Sequence, residues 1–271
     1  MRDKLPLVMF TLLAQAGVGL YLVAGCLGKA GLEDAVLRWT LALTAAGMAI
    51  SLLHLGSPLG AYRALGNLKS SWLSREIACL GVFFTLVWSE WIFASAMGPA
   101  GRAAVGWLAF GAGALGLFSM AAVYAHTAIP AWSGWHTHNS FHSAAIVAGA
   151  ALYSTVAITG GQAEQAMRGL LIVAAGTGLQ LAGLAAYLPA LAGGGAADRA
   201  SARLLAACRP WLAIGQGLTI AGGFGLPLAI GLGAVQGEAM IYGAFLLTAA
   251  GQLIGRSLFY ATGVHAMLER Y

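Results

Sequence analysis

LPLVMFTLLAQAGVGLYLVAGCL, residues 5–27, holds no charged side chain in 23 positions. That length suffices to cross a bilayer, which takes about 20 apolar residues in a helix. The run is too long for the apolar region of a secretory signal and lacks a convincing A-x-A site, so it reads as a span rather than a leader. Working outward, comparable runs fall at 39–55, 77–97, 103–126, 140–161, 169–191, 210–235 and 239–262. The sequence therefore predicts an all-α integral membrane protein, a bundle of eight transmembrane helices in a single polytopic domain over residues 1–271. Composition agrees, with 59% hydrophobic and 8% charged residues, where soluble domains carry about 25% charged. The lipid bilayer is thus the first partner. The 39 glycines fall largely inside the spans, as in GAGALG and AGGFGLP, where small residues let helices approach closely.

Several chemistries are excluded. The three cysteines, Cys26, Cys79 and Cys208, form no CxxC or CxxCH pattern, so iron–sulfur, zinc and c-type haem ligation find no support in this chain. Each Cys reads as a small buried apolar residue. Gly193–Gly195 lacks the Lys and the strand–helix context of a phosphate loop. Asp3, Asp34 and Asp198 lie near termini or loops, which leaves no Asp for a Ser-His-Asp triad. The +5 net charge is spread over membrane loops, unlike a nucleic-acid surface.

An even number of spans puts both ends on one side. The loops there, 56–76, 127–139 and 192–209, are long, whereas 28–38, 98–102, 162–168 and 236–238 are short. Long loops carry function more often, so the terminal side is the expected working face. His54 ends the second span, Arg75 and Glu76 begin the third, and Tyr124 and His126 end the fourth. Trp132, Trp135, His136 and His138 fall in the next loop, with His142 just inside the fifth span. Arg256 lies about 17 residues into the last span, and His265 follows it. All six histidines gather at one face. Ionisable groups at membrane depth are costly and are functional candidates by default.

Plainer readings compete. Trp132 and Trp135 suit an aromatic belt at the interface, and Arg63, Lys69 and Arg75 suit interfacial anchors. His138 and His142 share a helical face, but no carboxylate joins them to make a metal set. A b-type haem would need two facing histidines among His54, His126 and His142, none of which is deep. Glu90 stands 14 residues beyond Glu76, about 21 Å along roughly the same face. It reads either as a stage in a proton path or, preferably, as a carboxyl hydrogen-bonded between helices or snorkelling to the far interface.

HLGSP (54–58) followed by LSREI (73–77) resembles the signature of DMSO reductase anchor subunits. Tyr124, the PAWSGWHT run (130–137) and GQLIGRSLFY (251–260) are similar to further elements of that family, in order. The resemblance implies an anchor that holds an iron–sulfur subunit and a molybdopterin catalytic subunit at the membrane. It implies a quinone, menaquinone or ubiquinone, bound near the docking face, with no haem in this chain and the metal cofactors confined to the partners. Quinone chemistry moves two protons with two electrons, and an imidazole with a nearby carboxylate suits that exchange. By the motif match His54 and Glu76 are the catalytic pair. Gly56 and Pro58 shape the turn beneath the ring, and Tyr124 and Arg256 complete the site. Related anchors often carry an Arg two residues after the HLGSP proline, where this chain has Gly60; Arg63 is the expected substitute. Lys69, Arg199, Arg203 and Arg209 suit either an acidic partner surface or solvated anchoring.

Orientation follows from charge. Terminal-side segments hold nine Lys and Arg, namely Arg2, Lys4, Arg63, Lys69, Arg75, Arg199, Arg203, Arg209 and Arg270. The opposite side holds four, Lys29, Arg38, Arg102 and Arg168. The positive-inside rule then places the docking face in the cytoplasm of a bacterial inner membrane, as in the sulfite-oxidising relatives of the family. Three alternatives stand beside this reading. A secondary transporter would show a midplane site with broken helices, a b-type cytochrome would bind haem, and a bare anchor would have no quinone site of its own.

Overall fold

The computed structural model describes residues 4–54, 66–235 and 237–264, with the side chains of Leu53 and His54 excepted. Among the described residues, eight helical segments are long and apolar enough to cross a membrane. They are α1 (Leu5–Leu27), α2 (Glu33–His54), α3 (Trp72–Ile92), α4 (Pro99–Ala125), α5 (Trp135–Thr159), α6 (Ala163–Gly193), a broken segment described below, and the last helix, Glu238–Thr262. A shorter helix, α7 (Ala196–Ala207), follows α6. The broken segment is α8 (Arg209–Ile220), a π-helical turn at Ala221–Gly225, and α9 (Leu226–Gly231), which makes the last helix α10.

Helix starts lie earlier than apolar content alone predicts, because polar residues make good first turns. Glu33 and Asp34 open α2, favoured by the positive end of the helix dipole, six residues before the expected boundary. Ser71 caps α3 by accepting the Ser74 N–H at 3.3 Å. Gly134, at φ 98°, turns the chain into α5. Trp135, His136 and His138 therefore sit in the first turns of a helix and not in a loop. The stretch 192–209 is also not all loop. Its ADRASARLLAA sequence forms α7, started by the Gly195 N–H donating to the Asp198 carboxylate at 3.1 Å.

Helices α1 and α5 form the centre of the bundle. Gly19 and Gly149 face each other there, and a Cβ on either would collide with the other helix's backbone. This close crossing replaces the hydrophobic effect, which has little force between helices in lipid. One core cluster lies on the α3–α4 side of the crossing and includes Val18, Phe83, Met120 and Phe141. The other lies toward α6 and includes Leu20, Val147, Tyr153 and Val173. Lipid-facing side chains such as Trp107 and Leu171 remain about 70% exposed. The π turn has a local cause: Pro227 lacks the N–H that a regular helix would use. Gly222 and Gly223 let the widened turn seat directly on α10 and on Thr177 of α6. The cysteines depart from expectation, since Cys26 is exposed and Cys79 and Cys208 are half-buried.

Candidate functional site: a buried polar cluster at the terminal side

Helix α3 buries one stripe, Ser74, Glu76, Leu80, Phe83, Val87 and Glu90. The early start of the helix fixes Glu76 on that stripe, 3% exposed, within electrostatic range of Tyr124 on α4 and Tyr260 on α10. Its Oε1 has no hydrogen-bond partner among the described residues. Arg256, on α10, is 4% exposed. Its Nη2 donates to Gln15 Oε1 on α1 at 3.0 Å, and its guanidinium lies 3.7 Å over the Phe141 ring. The Nη1 of Arg256 has no partner among the described residues. Tyr124 and Tyr260 link the two charged groups, for each lies within electrostatic range of both Glu76 and Arg256. Their rings meet edge-on with centroids 5.3 Å apart.

An aromatic wall encloses this cluster. Tyr124 stacks on Phe141 at 5.3 Å and meets Trp132 and Phe259 edge-on. Trp132 lies flat on Phe259 and donates its Nε1–H to the Phe259 carbonyl at 2.9 Å. Trp132 is thus packed as a roof over the cluster, whereas Trp135 is 55% exposed. Lys4 ties the start of α1 to the end of α10 by donating to the Tyr260 carbonyl at 2.6 Å. Beyond Arg256 a cavity of about 110 Å³ has a mainly apolar lining into which His136, Asn139, Gln180, Tyr187 and Gln216 also project.

The structure brings together Glu76, Tyr124 and Arg256 of the expected site. Gly56, Pro58, Arg63 and the His54 side chain lie outside the described residues, as does His265; the backbone of His54 closes α2. Two members went unread in the sequence. Gln15 is a lone amide in an apolar span, and Tyr260 lies one turn beyond Arg256. Both positions carried a signal, a polar atom at membrane depth.

Glu90 has a different environment. Its carboxylate accepts from the Tyr21 hydroxyl at 2.5 Å and from the Lys29 ammonium at 2.9 Å, joining α3 to α1 near the opposite edge. Between Glu76 and Glu90 the stripe offers only Leu80, Phe83 and Val87. Glu90 is an interhelical partner, as preferred from the sequence.

The family model for the DMSO reductase anchor subunit (DmsC) matches residues 1–203. The chain belongs to that family. Glu76 and Tyr124 of this DmsC-family anchor fall in the matched range; Arg256 and Tyr260 lie beyond it. An anaerobic dimethyl sulfoxide reductase chain of Haemophilus influenzae is 32% identical over 180 residues, 62% of this protein and 63% of that one. The anaerobic dimethyl sulfoxide reductase chain YnfH of Escherichia coli is 32% identical over 164 residues, 56% of each protein. A sulfite dehydrogenase subunit of Allochromatium vinosum is 33% identical over 113 residues, 34% of each. The matches thus span less than two thirds of the length of these relatives.

Proposed function

We propose that this anchor passes electrons between a membrane quinone and the iron–sulfur subunit of a molybdopterin oxidoreductase complex, at a site built around Glu76. The supporting observation is a buried carboxyl and a buried guanidinium, each with an unused polar atom, inside an aromatic wall. A buried polar group without a partner costs about 1–3 kcal/mol, so such atoms are expected where a ligand completes the bonding. Glu76 Oε1 and Arg256 Nη1 suit the two oxygens of a quinone ring, in an aromatic and apolar surround. When bound, the quinone supplies the two-electron, two-proton exchange.

The protein's own residues have separable tasks in this reading. Arg256, held by Gln15, donates a hydrogen bond to an acceptor oxygen and offsets negative charge there. Glu76 accepts or returns a proton at its free Oε1. Tyr124 and Tyr260 hold the two apart, and Trp132 excludes water from above. His54 at the end of α2 is the proposed second proton partner, with Gly56, Pro58 and Arg63 in the segment that follows. Menaquinone and ubiquinone both meet these requirements.

The nine-to-four charge bias survives the revised helix ends, because Arg75 and Arg38 stay at their own edges. It supports a cytoplasmic docking face in an inner membrane, and with it a sulfite-oxidising type of partner. The test is quinol-dependent turnover of the assembled complex in membranes, with a dye donor to the partner subunits run in parallel. His54→Ala and Glu76→Gln are expected to lose quinol turnover and keep dye turnover. Normal quinol turnover in both variants would leave this protein a structural anchor.

A further inference from the structure

We propose that a crevice between α4 and α5, headed by His142, is a second binding site on this protein, for an isoprenoid quinol drawn from the bilayer. The proposal rests on the quinone-linked reading above but uses none of the Glu76 cluster. Gly19, Leu22 and Val23 of α1 floor the crevice, and Leu115, Phe118 and Ile146 are among its walls. Its volume is about 390 Å³, within the range of ~300–1,000 Å³ typical of ligand sites. Leu115 is 60% and Phe118 44% exposed, so the crevice opens sideways to lipid and not to water. His142 is its one polar lining side chain among the described residues.

The head of the crevice is an array of rings. His138 lies tilted against Phe118 at 4.9 Å and stacks on His142 at 5.8 Å. Trp72 joins Phe118 at 5.8 Å to His126 at 5.4 Å. Backbone contacts fix two of the imidazoles. His142 Nδ1 lies 2.6 Å from the His138 carbonyl, and His126 Nδ1 lies 3.0 Å from the Ala122 carbonyl. In a neutral ring Nδ1 then carries the hydrogen, and Nε2 is left as an acceptor. An acceptor at the head of an apolar crevice pairs with a donor that carries its own apolar tail, and a quinol hydroxyl is such a donor. Arg75, the cation of this array, is committed elsewhere: it donates to the Leu68 and Lys69 carbonyls and lies 4.2 Å over Trp72. The array is not a metal set, since no His, Cys, Asp and Glu group among the described residues is placed to hold one. Depth agrees as well. His142 is seven residues into α5, about 10 Å below the helix start, and the apolar walls continue inward for an isoprenoid tail.

A quinol analogue with a photoreactive diazirine on its tail tests this in membranes holding the whole complex. Label is expected on the α4 and α5 peptides around Phe118 and His142. His142→Leu is expected to cut that label about fivefold to tenfold, the loss of one hydrogen bond. Ala114→Phe fills the crevice without touching an imidazole and is expected to do the same. Glu76→Gln is expected to leave it unchanged. No label on these peptides, label that survives both crevice variants, or label that a phospholipid probe displaces as well as quinol does overturns the proposal. The quinone-linked reading fails separately, through full quinol turnover in Glu76→Gln membranes.

Discussion

Two carboxyl groups share the buried stripe of α3, and their surroundings differ sharply. Glu90, 6% exposed, has both oxygens engaged, one by Tyr21 and one by Lys29. Glu76, 3% exposed, forms no ion pair with a described residue and leaves Oε1 unused. Burial alone therefore does not mark a functional carboxyl in a membrane helix. A satisfied one fastens helices together, whereas the unsatisfied one, Glu76, is the proton carrier proposed above, in the same cluster as the unpartnered Arg256 Nη1. The three apolar side chains between them also separate the two halves of the stripe.

Substitutions at the two ends break the comparison in different ways. The largest effect is expected from Glu76→Gln, which keeps the shape and removes the proton exchange. Quinol turnover should fall about 10²-fold or more, the scale of a lost general acid–base group, with dye turnover and assembly intact. Glu90→Gln should act on stability, because it leaves Lys29 without its counter-charge. The cost is about 2–3 kcal/mol, toward the low end for a broken buried pair since Lys29 keeps 18% of its side chain exposed. A lower thermal midpoint of the purified complex, with quinol turnover within about twofold of wild type, is the expected result. Adding Lys29→Met to Glu90→Gln removes the stranded charge and should recover roughly half of that loss, because paired removal is far less costly than single removal. Tyr21→Phe sharpens the comparison with the smallest effect, about 1 kcal/mol for one hydrogen bond to Glu90, read in the same melting experiment. A large loss of quinol turnover in Tyr21→Phe would place Glu90 back on a functional path.

Much of this was legible in the sequence. The eight spans follow from apolar length, which the bilayer fixes, and their order placed Glu76, Tyr124 and Arg256 on one face. Helix starts were less legible, because Glu33, Ser71 and Trp135 begin helices with residues that apolar content counts as loop. The same bias hid α7, whose polar face and Ala-rich composition suit a helix lying outside the bilayer core. The partners of the site were hidden for another reason. Gln15 is 241 positions from Arg256 in the sequence, and only the α1–α10 packing brings them together. The packing of Trp132 was hidden in the same way, because its partner, the Phe259 carbonyl, lies 127 positions away in the sequence.

The central claim is that Glu76 exchanges protons with quinone and Glu90 does not. The most direct measurement is the ratio of quinol to dye turnover, in one membrane preparation each, for Glu76→Gln and Glu90→Gln complexes. The account predicts a ratio lowered about 10²-fold for Glu76→Gln and nearly unchanged for Glu90→Gln. An unchanged ratio for Glu76→Gln, or an equal fall in both, would contradict it.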